Sequence, residues 1–325
     1  MYAVTFHPDG KHLLGGGGDG IRRWQLADGQ EVGKQTGMNL HAISVSRDGK
    51  WVVCGTTEGA SVWDANLHEK VINVEATISM YAVDVSPDST RFATGTEGGN
   101  NRNASVWSIT TGKRLIGPLQ HTNDVTGIKF SPNGEQMATF CPGGSVRIFD
   151  IHNGDQLLDI KANRPSSWPF GVTPLAWSED GQQFFAITES NKIDCFAFPT
   201  GSQLAESPIL DNERSISLAG NGNFIATVAD HAISFLDSST LAKIGTSIED
   251  GQIMRSIAVS LDSSQIAIGR RDGKVILRDL TNFLTDSYGP FQVSNRSFVM
   301  LDNHHPISTH RIRRLLARNN QTTNL

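Results

Sequence analysis

The chain has 325 residues, of which 38% are hydrophobic, 19% are charged and 32 are glycine. Many glycines with moderate charge are typical of short strands joined by tight turns, and they argue against a helical bundle. The net charge of −5 argues against nucleic acid as the main partner, because phosphate binding needs a clustered positive field.

The first repeat unit predicts four short strands. An alternating run at 2–6 is followed by His-Pro-Asp-Gly, a small-residue run at 12–15, Asp-Gly, and a third run at 21–25. Alternation with a period of two is typical of half-buried strands, and the Asp-Gly pairs predict hairpin turns whose backbone conformation glycine adopts easily. A fourth strand follows another turn with glycine, as at 114–119 in the third repeat.

The same pattern recurs seven times along the chain. The repeats start near residues 2, 41, 81, 126, 174, 215 and 256. Each third strand closes on one residue, in order Trp24, Trp63, Trp107, Phe149, Phe196, Leu236 and Arg278. Their spacings of 39, 44, 42, 47, 40 and 42 residues are close to the period of propeller blades, about 40–45 residues. One four-stranded sheet cannot cover both of its faces, whereas sheets stacked in a ring bury them. We therefore predict an all-β fold, a seven-bladed β-propeller of four-stranded antiparallel blades with a C-terminal extension.

Residues 2–280 resemble the WD-repeat family. The resemblance is carried by Val62-Trp63-Asp64, by the Ser-Pro-Asp turns and by Gln120-His121. It implies a buried hydrogen-bonded network of His, Ser or Thr, Asp and Trp in each blade. The chain matches this network only in part, at Asp19, Trp24, Trp63, Asp64, Thr94, Trp107, His121, Thr139, Phe149, Thr227, Asp230 and Asp272. No repeat has all four residues, so we expect stability to depend mainly on apolar packing.

Closure of the ring is expected to use residues near the C-terminus. The first predicted strand starts directly after Met1, whereas members of the family usually begin with a strand that completes the last blade. Residues 288–292 resemble the outer strand at 116–120, so we predict that they complete blade seven within a propeller of residues 1–293. Residues 297–301 resemble the start of a further inner strand. The chain is then either a complete ring with an extension over 294–325 or part of a longer array.

The extension is basic from Pro306 onwards. Ile307, Ile312 and Leu315 have partly helical spacing, with Ser308 as an N-cap candidate, and a solvated terminus is the alternative. The histidines of this segment have no carboxylate or cysteine at ligand spacing, so no metal site is predicted.

Catalytic motifs are absent from the sequence. HExxH, GxSxG and the P-loop do not occur. The run of glycines at 15–20 precedes a predicted strand, so it offers no helix N-terminus to a phosphate. The predicted inner strands carry few acids, Asp84 being the exception. We therefore predict no enzyme activity, cofactor or metal, with a propeller enzyme centred on the axial funnel as the remote alternative.

Binding is predicted at the loops that enter the inner strands, because such loops vary on a rigid scaffold. The candidate partner-binding residues are Met80, Tyr81, Asn123, Asp124, Trp168, Phe170, Arg214, Met254 and Arg255. Trp168 is either exposed or folded back as a plug. The predicted function is a monomeric, non-catalytic scaffold for proteins or peptides. The alternative is a recognition module of a larger signalling ATPase-type protein, since the Gly-x-Pro-Leu segments resemble repeats attached to such proteins.

The cysteines and the termini bear on the compartment. Cys54, Cys141 and Cys195 are sparse and form no CxxC pair, which is typical of a reducing environment. No secretory signal opens the chain, and no apolar run approaches 18 residues. We predict a cytoplasmic protein, with the nucleus as an alternative, and no membrane insertion.

Overall fold

Seven antiparallel sheets of four strands each follow one another along the chain as the blades of a β-propeller. The computed structural model describes residues 1–76, 78–98, 102–142, 145–161, 174–188, 192–210 and 213–280, and the backbone of 298–300. Within this part of the chain, no helix has the length and apolar character needed to cross a membrane. The predicted fold is confirmed.

The strands are given by blade, from the inner to the outer strand. Blade one contains β1 (Ala3–Phe6), β2 (His12–Gly17), β3 (Gly20–Gln25) and β4 (Glu31–Thr36). Blade two contains β5 (Leu40–Val45), β6 (Trp51–Thr56), β7 (Gly59–Asp64) and β8 (Lys70–Glu75). Blade three contains β9 (Met80–Val85), β10 (Arg91–Thr96), β11 (Asn103–Ser108) and β12 (Arg114–Gln120). Blade four contains β13 (Gly127–Phe130), β14 (Gln136–Phe140), β15 (Ser145–Asp150) and β16 (Gln156–Lys161).

The remaining blades have the same order. Blade five contains β17 (Leu175–Trp177), β18 (Gln183–Ile187), β19 (Ile193–Ala197) and β20 (Gln203–Glu206). Blade six contains β21 (Ser215–Leu218), β22 (Phe224–Val228), β23 (Ala232–Asp237) and β24 (Ile248–Glu249). Blade seven contains β25 (Met254–Val259), β26 (Gln265–Arg270), β27 (Val275–Asp279) and β28 (Phe298–Met300). Every inner strand begins within two residues of its predicted position.

The turn between the first and second strands is held by its own side chains. In blade three the Ser86 hydroxyl donates to Asp88 Oδ1 over 2.5 Å and accepts the N–H of Arg91 over 3.0 Å. Asp88 Oδ1 also accepts the N–H of Thr90 over 3.0 Å. Such bonds to the local backbone are the reason that Ser and Asp favour turns, and they start each hairpin at a defined residue.

Two positions after the turn between the second and third strands require glycine, because the backbone of the outer strand lies too close for a side chain. Gly20 and Gly59 have φ of 122° and 126°, and they begin the third strands of blades one and two. The sequence suggested glycine as a turn residue, but the turns themselves are residues 18–19 and 57–58, since Gly17 pairs with Gly20 and Thr56 with Gly59. A Cβ at Gly59 would lie 2.0 Å from the Val74 carbonyl oxygen, so only glycine fits there.

Seven apolar clusters lie between successive blades and form the core. The cluster between blades one and seven joins Val4, Leu13 and Trp24 to Ala267, Val275 and Leu277. Leu14, which follows Leu13 in β2, packs instead against blade two. Neighbouring residues of a strand point to opposite faces, so each sheet contributes to two clusters. Side-chain packing therefore closes the ring.

The last outer strand differs from the sequence prediction. Residues 298–300 pair with β27 as Met300–Val275, Val299–Ile276 and Phe298–Leu277, and they complete blade seven. The sequence pattern instead predicts the start of a further inner strand at 297–301. An apolar run of this length fits an inner or an outer strand equally well, so local sequence does not distinguish the two. Residues 288–292 lie outside the described residues, and β28 lies beyond the predicted boundary at 293.

The polar network of the family is present in pieces. Trp107 Nε1 donates to Thr94 Oγ1 over 2.9 Å in blade three. Trp63 Nε1 donates to Ser61 Oγ over 2.9 Å, within its own strand. Asp64 accepts the N–H groups of the turn that follows it. The remaining stability comes from apolar packing, to which Trp24 contributes between blades one and seven.

Other predicted network residues have different partners. Thr227 donates to Glu213 in blade six. The three acids near the turns form ion pairs with arginines of the same region: Asp19 with Arg22, Asp230 with Arg214 and Asp272 with Arg270. A carboxylate next to a guanidinium gains a charge-assisted bond, and this interaction replaces the one expected with histidine.

His121 is the member of the network whose protonation affects stability. Its Nδ1 lies 2.8 Å from the Leu119 carbonyl oxygen and its Nε2 lies 2.9 Å from Thr139 Oγ1, while the Phe149 ring lies 5.5 Å away. A neutral ring donates to the carbonyl and accepts from the hydroxyl. Burial lowers the pKa of His121 to about 4, with a further decrease from the charge of Arg147 and opposing effects from Leu119 and Asp159.

This shift predicts acid sensitivity. The pKa of His121 is lower in the folded state, so its contribution to stability is complete above the unfolded value near 6.5 and is lost as the pH falls towards 4. We expect a loss of about 2 kcal/mol in the free energy of unfolding between pH 7 and pH 5 from this group. Urea denaturation of His121→Gln should show a shallower pH dependence, with part remaining because burial also lowers the pKa of His41. An unchanged pH dependence would contradict this account.

The cysteines are thiols. Cys54, Cys141 and Cys195 are free and buried. Burial raises the pKa of the first two to about 12 and that of Cys195 to about 11. Since the thiolate is the reactive form, these side chains are core residues with low reactivity.

Candidate functional site

The seven inner strands surround an axial tunnel of about 620 Å³. Asp84 lies in its wall and joins three blades: it accepts Lys129 Nζ over 2.8 Å, the N–H of Phe130 over 2.9 Å and the Ser44 hydroxyl over 3.2 Å. The acid that stood out in the inner strands thus has structural partners on both carboxylate oxygens. Its charge is compensated by Lys129.

At one end of the tunnel, a set of residues lies at or next to the start of the inner strands, and we call it the mouth ring; His41, Tyr81 and Thr126 of this set line the tunnel. The members occupy the same position in six blades. In each blade, one residue of the inner strand pairs with the end of the second strand, and the member is the residue directly before it: Tyr2, His41, Tyr81, Thr126, Arg214 and Arg255. The corresponding residue of blade five lies outside the described residues. At His41, Tyr81 and Arg255 the pairing register shifts, so these residues occupy β-bulges. A bulge redirects a side chain from the regular alternation, and here it does so at the same place in three blades.

The mouth ring has an aromatic half and a cationic half. The His41 ring lies 4.3 Å from Tyr81 and 6.1 Å from Tyr2, between centroids. The Arg255 guanidinium lies over the Tyr2 ring at 5.3 Å, a cation–π geometry. Contacts thus run from blade seven through blades one and two to blade three. Arg214, which is paired with Asp230, and Arg255 are the cations of the ring.

The titrating groups of the ring are held in one form near neutral pH. Burial raises the pKa of Tyr81, and its hydrogen bond to Glu97 raises it further. Burial lowers the pKa of His41. The phenol and the imidazole are therefore neutral, and the arginines carry the charge of the ring.

Four of the predicted partner-binding residues have other placements. Met80 is 3% exposed and Met254 is 0% exposed, and both pack between blades. They directly precede Tyr81 and Arg255, and neighbouring strand residues point to opposite sides. This corrects the expectation that their side chains face a partner. Asn123 donates to the Pro142 carbonyl and Asp124 accepts Arg102 Nε over 2.9 Å, so both connect the loop between β12 and β13 to neighbouring segments of blades three and four.

The long loop that enters blade five was a further prediction. Trp168 and Phe170 belong to residues 162–173, which lie outside the described residues. Their assignment to a binding face stays a prediction. Tyr2 and His41, in contrast, were missed. The signal that could have found them is the residue before the alanine that opens each of the first three repeats: Tyr2-Ala3, His41-Ala42 and Tyr81-Ala82.

A second cluster lies at the first turn of blade one. One ligand atom each from His7, Asp9 and His12 lies within 4.8 Å of the others. His7 Nε2 lies 2.9 Å from the Gly49 carbonyl oxygen, and its Nδ1 accepts the N–H of Asp9 over 3.2 Å. Arg23 Nη2 lies 3.0 Å from His12 Nδ1. These bonds account for the arrangement, and the nearby guanidinium opposes a cation.

Comparison with known proteins relates the chain to a family. The pattern described as the anaphase-promoting complex subunit 4 WD40 domain matches residues 99–180. The small ribosomal subunit protein RACK1 of Caenorhabditis elegans is 30% identical over 154 residues, which are 46% of this chain and 46% of that protein. The periodic tryptophan protein 2 homolog of Dictyostelium discoideum is 30% identical over 156 residues, 46% of this chain and 17% of that protein. The match therefore spans less than half of each relative.

Solved structures share the fold. The β-propeller domain of Cps50 (Swd1) from Myceliophthora thermophila gives a TM-score of 0.72 at 15% identity, covering 86% of this chain and 97% of that one. Hydrazine synthase of Kuenenia stuttgartiensis gives 0.74 at 14% identity, covering 86% and 95%. At such identities the likeness concerns the fold alone, so the second structure carries no argument for catalysis.

Proposed function

Because the chain is a WD-repeat β-propeller, we propose that it is a protein-interaction module that binds a peptide or protein segment at the mouth ring. The observation that carries this proposal is the run of contacts from Arg255 through Tyr2 and His41 to Tyr81. Tyrosine and arginine are enriched among residues that dominate binding energy. Here Tyr81 and Arg255 stand on inner strands and Tyr2 directly precedes one, which limits the entropy lost on binding.

The relatives support a role in assemblies. By their names, RACK1 is a protein of the small ribosomal subunit, and the matched family pattern belongs to a subunit of the anaphase-promoting complex. A non-catalytic role for this chain agrees with such relatives. The partner, a monomeric state and a cytoplasmic or nuclear location stay predictions, as does the alternative of a module within a larger signalling protein.

A peptide-display selection tests the proposal. Peptides selected on the full chain should bind at least about 30-fold more weakly to a Tyr2→Ala, Arg255→Ala double variant, because each side chain would contribute about 1 kcal/mol or more as a hot spot. Fluorescence anisotropy of labelled peptides measures the dissociation constants. The matched control is Leu261→Ala, a residue 71% exposed at the opposite end of the tunnel. The proposal fails if no peptide is selected, or if the double variant binds the selected peptides as tightly as the control.

A further inference from the structure

A cavity of about 410 Å³ lies between blades one and seven, next to the mouth ring. We call it the seam cavity. Its walls include Tyr2, Arg22, Arg255, Arg271 and the glycines at 17–18. It is thus continuous with the aromatic half of the ring through Tyr2 and with the cationic half through Arg255.

Part of the charge in this cavity is already compensated. Arg22 donates to Asp19 over 2.6 Å and to Glu31 over 2.7 Å. Asp272 lies 3.1 Å from Arg270 Nη2 and 4.0 Å from Lys274 Nζ. Both acids on the cavity wall therefore have cationic partners.

Two guanidinium groups have no such compensation. In the described part of the chain, neither Arg255 nor Arg271 has a carboxylate within 4.0 Å. Arg255 Nε is buried without a hydrogen-bond partner among the described residues, while Arg271 is exposed at the rim. The nearby Asp230 is paired with Arg214.

These arginines also repel one another. Burial lowers the pKa of Arg255; the charges of Arg214 and Arg271 lower it further, against the opposing effects of Tyr2 and Asp230. Three guanidinium groups thus lie near one another at the seam cavity, in a chain whose net charge is −5. An incoming anion would relieve the repulsion and provide acceptors for donors that lack them.

The surroundings favour a peptide carboxylate over a nucleic acid. A nucleic acid needs an extended basic surface that follows its backbone, whereas the two arginines without a carboxylate partner here, Arg255 and Arg271, both lie at one small cavity. Tyr2 also lines this cavity, and its ring leads through His41 to Tyr81 in the mouth ring, a set that suits contact with an apolar or aromatic side chain. A peptide supplies both features within a few residues.

We propose that the seam cavity binds an Asp or Glu side chain of an acidic peptide, with Arg255 and Arg271 as its donors and the aromatic half of the ring holding a neighbouring apolar residue. This inference rests on the proposed function and specifies the ligand of the same site. Planar guanidinium groups match the geometry of a carboxylate and hold it through paired hydrogen bonds. The mouth ring and the seam cavity would then select peptides in which an acidic residue lies next to an apolar one.

The composition of selected peptides tests the inference on the full chain. Peptides selected on the wild type should be enriched in Asp and Glu next to an apolar residue, and replacing these acids by Gln or Asn should weaken binding at least 10-fold. Arg255→Gln should remove the enrichment, and Arg255→Glu should replace it by enrichment in Lys and Arg. Arg271→Gln is a second test that does not depend on the folding of the Arg255 variants, because Arg271 is exposed. This variant should also weaken binding of the acidic peptides. The matched control is Lys50→Gln, which removes one charge at an exposed position in the turn between β5 and β6.

The outcomes separate this inference from the proposed function. Peptides without acid enrichment that still depend on Tyr2 would overturn the inference and leave the proposed function in place, whereas a selection that yields no peptide would reject both. Enrichment that persists in both Arg255→Gln and Arg271→Gln would also overturn it. A labelled single-stranded RNA that competes with the acidic peptides at equal affinity would assign the site to phosphate and reject the peptide.

Discussion

Gly59→Ala should lower the free energy of unfolding by about 4 kcal/mol. Gly59 has φ of 126°, and a Cβ there would lie 2.0 Å from the Val74 carbonyl oxygen and 3.0 Å from the Ala76 nitrogen. The unfavourable backbone conformation costs about 1–3 kcal/mol, and displacing the outer strand adds about 1–3 kcal/mol of overpacking. Urea denaturation followed by circular dichroism measures the change.

Gly29→Ala is the matched control for this prediction. Gly29 also has a positive φ, 72°, but nothing lies within 4 Å of its added Cβ. Its loss should be about 1 kcal/mol, the cost of the left-handed conformation alone. Equal losses in the two variants would show that the close approach of β8 to Gly59 does not exist in solution.

Leu13→Ala and Leu14→Ala should each lower the free energy of unfolding by about 3 kcal/mol. Both side chains are 0% exposed, and removing a buried leucine side chain costs about 2–5 kcal/mol through lost transfer energy and the cavity left behind. Leu13 packs against blade seven and Leu14 against blade two. The pair therefore compares the interface that closes the ring with an ordinary interface between successive blades.

Equal losses would indicate a ring that is packed as tightly where blade one meets blade seven as elsewhere. A loss below about 1 kcal/mol for Leu13→Ala alone, near the size of a surface effect, would contradict closure by packing of these two blades. Thermal unfolding monitored at two wavelengths gives an independent estimate of the loss of stability in each variant from the same samples.

The number of blades and the position of their hairpins could be predicted because the sequence pattern repeats seven times. The turn segments such as 86–91 bond to their own backbone, so their signature locates each hairpin without knowledge of the rest of the chain. The last outer strand could not be located in this way. β28 is identified as the outer strand by its pairing with β27. This pairing joins residues that are distant in sequence, so the apolar run itself contains no signal for it.

The candidate site was only partly predictable, for a related reason. Tyr81, Arg214 and Arg255 are predictable because they lie in segments that enter inner strands, and because tyrosine and arginine are enriched among binding hot spots. His41 joins them through a bulge, and Tyr2 joins them through ring contacts with the neighbouring blades. Met80 and Met254 were assigned to the surface because strand alternation alone does not say which of two neighbours faces the core.

Each sheet consists of consecutive strands of one repeat, and this arrangement bears on how the sequence can diverge. A repeat that loses its histidine, threonine or tryptophan disturbs its own sheet and the two interfaces beside it, while the other blades keep their contacts. Substitutions can then accumulate one blade at a time. The mixture of partial networks at Trp63, Trp107 and His121 is what such independent drift within a shared ring would leave behind.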